Sequence, residues 1–74
     1  MEKTIISYIV VDELGSRAYK LIAAEFAERP NAETVHRSLQ DSFPASSVLR
    51  LQTRYNLMDP LSYFQYYNHQ KRLV

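Results

Sequence analysis

Few side chains in this sequence could hold a metal, move a proton or neutralise a phosphate. Asp12 and Glu13 stand together after an apolar run over residues 5–11. The carboxyl end of a strand is where α/β folds often gather their chemistry, and an acid there could hold Mg²⁺. Such an ion recruits several oxygens, and no second acidic cluster accompanies the pair. Neighbouring side chains on a strand also point to opposite faces, which separates the two carboxylates. No metal site is expected, and Asp12 should be dispensable for metal binding. The two histidines are His36 and His69. A general base needs an orienting partner and a nucleophile nearby, whereas the serines at 38, 42, 46 and 47 are explained by caps and turns. His36 is expected at the boundary of an apolar helix face, and His69 on the polar side of the last helix. With no cysteine, a disulfide framework, a thiolate zinc site and a cysteine nucleophile are excluded. A single glycine, Gly15, cannot build a phosphate-cradling loop. The expectation is a protein without catalytic residues, metal or cofactor.

The C-terminal third is the unusual part. Net charge is +1, yet residues 50–74 carry Arg50, Arg54, Lys71 and Arg72 against Asp59 alone. The same stretch holds Tyr55, Tyr63, Phe64, Tyr66 and Tyr67, five of the nine aromatic residues. Arg50, Arg54, Lys71 and Arg72 could form a phosphate-binding stripe with tyrosines stacking bases. The pI of about 8.0 is modest for that role, so nucleic-acid binding is the alternative reading. Tyr63, Phe64, Tyr66 and Tyr67 are candidates for a protein interface, because tyrosine suits surfaces with one end buried and the other wet.

These residues must be positioned by elements. Residues 4–11 (TIISYIVV) read as a strand, β-branched and aromatic, apolar on both faces and hence buried. Asp12-Glu13-Leu14-Gly15 reads as the loop leaving it, with Ser16 capping a helix over 17–28. There Tyr19, Ile22, Ala23 and Phe26 recur at helical spacing, and Pro30 ends the helix at Arg29. Asn31 then caps a second, short helix with Glu33 in its first turn and Val35, Leu39 and Phe43 on one face. Residues 48–57 alternate Leu49, Leu51, Thr53, Tyr55 and Leu57 against Arg50, Gln52, Arg54 and Asn56. That predicts a half-exposed strand, with a helix over 46–58 as the alternative. Asp59-Pro60 starts a last helix. Its four aromatics fill an arc of roughly 160°, with Ser62, Gln65, His69 and Arg72 opposite. The strand followed by Asp-Pro-Leu-Ser-Tyr-Phe-Gln-Tyr-Tyr resembles the close of small ferredoxin-like antitoxins of the GhoS type. The resemblance covers about 25 residues and carries no diagnostic site, and the central hairpin of that fold is absent from the pattern.

With 74 residues, 46% of them hydrophobic and 23% charged, the chain makes one globular domain, residues 1–74. The fold class is α+β, ordered strand–helix–helix–strand–helix; a mostly α fold with one N-terminal strand is the alternative. A chain of this mass buries only about 60% of its unfolded surface, which leaves little stability to spare. The first strand is apolar on both faces, yet only one other strand is available to flank it. A homodimer is therefore expected, formed by extension of the sheet at a strand edge or by packing of the aromatic helices; Phe64→Asp should dissociate or unfold it. No signal-peptide or membrane-spanning pattern is visible, so a cytoplasmic location is expected. The functional expectation is a small regulatory protein that binds itself and an unidentified protein partner, with nucleic acid the less favoured partner. A metal-dependent nuclease is a distant third.

Overall fold

The structure is a computed structural model of the chain and describes residues 1–15 and 18–74. Its elements run β1 (Glu2–Gly15), β2 (Ala18–Phe26), α1 (Arg29–Leu39), β3 (Ser46–Asn56) and α2 (Pro60–Arg72). The strands form an antiparallel sheet in the order β2-β1-β3. The α+β class holds, the strand expected over 48–57 is β3, which starts two residues earlier and ends one residue sooner, and the mostly α alternative is set aside. This order is not the β-α-β-β-α-β plan of a ferredoxin-like domain.

One element differs outright from expectation. The helix expected over 17–28 is strand β2. Its alanines and the spacing of Tyr19, Ile22 and Phe26 favour a helix locally, but β1 offers a long apolar edge. Pairing along that edge (Tyr8 with Phe26, Val10 with Ala23, Val11 with Leu21, Glu13 with Tyr19) outweighs a propensity difference of a few tenths of a kcal/mol per residue. Asp12 and Glu13 consequently lie inside β1, not in a loop. β1 reaches Gly15, whose φ of +146° is open to glycine and strained for any residue with a Cβ. The expected cap Ser16, and Arg17 with it, lie outside the described residues. The premise that β1 lacks flanking strands is likewise corrected, because both its edges are paired.

Pro30 does not terminate a helix; it sits in the first turn of α1, where its missing N–H costs nothing. Asn31 is therefore inside the helix and Glu28 is the cap residue. Glu33 falls beyond the first turn and Phe43 beyond the helix end. The start of α2 is as expected: Pro60 opens the helix, and Asp59 Oδ2 accepts from the Ser62 backbone N–H at 3.4 Å and the Ser62 hydroxyl at 3.0 Å.

The helices cover opposite faces of the sheet at opposite ends. In the regular β1–β3 register, Tyr8, Val10 and Asp12 face the same way as Arg50, Val48 and Ser46. α1 lies on that side, with Ala32 and Val35 against Val10, Phe26 and Val48, and with the Arg29 guanidinium 5.4 Å from the centre of the Tyr8 ring. α1 thus covers the Gly15 end of one face. α2 lies on the other face at the Glu2 end, over Ser7, Glu25 and Tyr55. The chain end is stitched to the outer edge of β2: Val74 N–H donates to Glu25 O at 2.8 Å, and Ala27 N–H donates to Val74 O at 3.0 Å. Two half-faces stay open. One exposes Tyr19, Leu21 and Leu51 beside half-buried Ile9 and Leu49, with Val11 itself buried; the other carries Thr4, Gln52, Arg50 and Arg54. The open halves leave a large surface. The accessible area is 5326 Å², against about 4,700 Å² for a compact monomer of this mass. The radius of gyration is 14.2 Å, where about 11 Å would be compact. Among the described residues, no helix is long and apolar enough to cross a membrane.

Candidate functional site

The densest polar arrangement joins the sheet to α2. β1 supplies Ser7, β2 supplies Glu25, β3 supplies Tyr55 and α2 supplies His69. The Ser7 hydroxyl donates to Glu25 Oε2 at 2.6 Å, His69 Nε2 lies 2.8 Å from that oxygen, and the Tyr55 hydroxyl lies 2.8 Å from His69 Nδ1. An ionised carboxylate only accepts, so Nε2 carries a hydrogen; in the neutral ring Nδ1 then accepts from Tyr55. Burial by itself pushes the Glu25 carboxyl up. The hydrogen bonds from Ser7 and His69, with the charges of His69 and Arg72, outweigh that and hold it below its usual 4.5. Ser7 is fully buried and its proton goes to Glu25, not to an imidazole. The chain of bonds therefore acts as a brace that fixes α2 on the sheet.

His69 is 4% exposed, a correction to its expected place on the polar side of α2. The inward line of the helix is Ser62, Tyr66, His69 and Leu73, spaced one turn apart; all four are buried or half-buried. Tyr66 packs edge-on to Tyr55 at 5.8 Å and its hydroxyl accepts from Gln70 Nε2 at 2.9 Å. Tyr63, Phe64 and Tyr67 point outward instead. Their rings touch one another, Tyr63 and Tyr67 at 4.9 Å, and with Asn68 and Lys71 they line a shallow concavity of about 390 Å³. Phe64 is 66% exposed, so Phe64→Asp has no core to unfold. The four expected interface aromatics thus divide, with Tyr66 inward and the other three on an exposed stripe.

The four basic residues divide as well. Arg50 and Arg54 project on the α1 side of the sheet, whereas Lys71 and Arg72 lie on α2, across the sheet. Arg29, which composition alone did not single out, joins Arg50 beside Tyr8. Asp12 pairs across the sheet with Lys20 and Ser46, and among the described residues no three His, Cys, Asp or Glu side chains cluster as metal ligands. His36 sits half-buried at the edge of α1, its Nε2 donating to the Ser46 carbonyl at 2.9 Å.

Glu25 is the residue that sequence reasoning missed. Its signal was present: an acid one position before a core Phe on a strand must face the opposite side, where only a polar partner can receive it. No family model, curated protein or solved structure matches this chain.

Proposed function

We propose that this protein is a small, non-enzymatic, cytoplasmic regulator that works as a homodimer and takes a protein partner on the aromatic stripe of α2. The observation that carries the reading is the unfinished sheet. One chain exposes roughly 600 Å² beyond a compact monomer. Two such chains have about 1,200 Å² to bury, the lower bound of a specific interface. Tyr63, Phe64 and Tyr67 then supply exposed aromatic anchors with polar tips for the second partner. If folding and dimerisation are coupled, the melting temperature rises by about 5 °C for each tenfold increase in protein concentration, given a dimer unfolding enthalpy near 100 kcal/mol. A thermal melt across three decades of concentration checks this; a constant midpoint contradicts it.

A second reading has one observation in its favour: Arg29, Arg50 and Arg54 share the α1 side of the sheet, a basic surface for phosphates. With both Arg50 and Arg54 replaced by Gln, nucleic-acid binding through this face would lose about two units of salt-dependence slope. The expected result is weak affinity and an unchanged slope. A clear loss of slope would favour the nucleic-acid reading.

A further inference from the structure

We infer that the second copy seats on the open half of the α2 face, so that two sheets stack over exposed Tyr19, Leu21 and Leu51 and half-buried Ile9 and Leu49 and close a sandwich. This rests on the homodimer reading above and specifies its interface. In that half of the sheet, Tyr19 is 54% exposed, Leu21 58% and Leu51 37%, an apolar group of a kind usually buried. The pairings Val11 with Leu21, Glu13 with Tyr19, Ile9 with Leu49 and Ser7 with Leu51 place these side chains on one surface. Glu13 at the Gly15 end is the one charged residue among these positions of β1, β2 and β3. The centre of the patch can therefore be desolvated without stranding a charge, which is the composition of an interface core.

The occupant is a second copy because the surface one chain leaves exposed is of the size a small dimer buries. The open half runs from Ile9 to the end of β1, about 20 Å at the strand rise. Stacked sheets sit about 10 Å apart, so each α2 can lie beyond the end of the other sheet in the same layer. A two-fold axis presents the patch to itself, and the surplus area of one chain matches the share each partner gives to a small specific interface.

The two arrangements expected earlier are less suited to the structure. β2 joins β1 with register shifts that distort it, and its outer edge is occupied by Val74 near Phe26. β3 carries exposed Arg50 and Arg54, charges that discourage strand addition. The stripe on α2 lines its own shallow concavity with Asn68 and Lys71, which leaves it for the protein partner.

Sedimentation equilibrium of four forms tests this. Leu21→Lys and Tyr19→Lys alter exposed residues, so the fold should persist by circular dichroism. Each should weaken dimerisation about a hundredfold, because the axis counts a buried charge twice. Phe64→Asp should stay dimeric. Dimers in both lysine variants would overturn the sheet-face interface, and a monomeric Phe64→Asp beside them would move the contact to α2 while leaving the homodimer intact. A monomeric wild type would overturn the homodimer itself.

Discussion

Replacing His69 with alanine should lower stability by about 2–4 kcal/mol, a drop in melting temperature of roughly 10–25 °C for a domain of this size. The imidazole is nearly fully buried and serves both neighbours at once, Glu25 at 2.8 Å and Tyr55 at 2.8 Å. Its removal leaves a carboxylate and a hydroxyl short of a partner and opens a void under α2, and each effect costs on the order of 1 kcal/mol or more. Acid should act on the same brace. The Glu25 carboxyl sits below 4.5 in the folded chain, so its contribution is fully present above that pH and is lost as the pH falls through the folded value. Glu25→Gln should therefore flatten the loss of stability below pH 4.5. Urea midpoints of wild type, His69→Ala and Glu25→Gln across the acid range check both statements. A His69→Ala cost under 0.5 kcal/mol, within the usual range of a surface substitution, would show that α2 is held by something else.

Phe26→Ala should cost about 3–5 kcal/mol, enough to unfold a marginal domain at 37 °C. Phe26 closes the core beneath α1 with Val10 and Ala32, and few other residues are buried there. Ala32 has no exposed surface and is too small to collapse into the gap. Tyr8 and Val35 at the margin are only partly buried, so the void opens toward α1 and weakens its hold on the sheet. Denaturant unfolding with amide exchange in α1 checks this. A cost below 1 kcal/mol would mean that α1 is not seated on Phe26.

Local sequence was sufficient where one interaction dominates and insufficient where two compete. The β-branched apolar run of residues 4–11 points to β1, and the alternation of 48–57 points to β3 over the competing helix of 46–58. Asp59-Pro60 specifies the start of α2 because the cap is made by neighbours in sequence. Residues 18–26 carry both periods. Tyr19, Ile22 and Phe26 lie a helical turn apart, while Tyr19 and Leu21 flank Lys20 as on a strand, and pairing to β1 decides between them. Gly15-Ser16 between two apolar runs was the available hairpin signal. That single misreading hid the brace, since Glu25 can face His69 only from a strand. His69, expected on the polar side of α2, instead turns in to meet its partners. The open half-face could not be read from the sequence, because it depends on which end of the sheet each helix covers.

The central claim is that one chain leaves the sheet unfinished and a second copy completes it on the open face. Sedimentation equilibrium of the wild-type chain at low to high micromolar concentration tests it most directly. The account predicts a mass twice the 8.7 kDa of one chain, reverting to one chain in Leu21→Lys. A mass of 8.7 kDa throughout that range would contradict it.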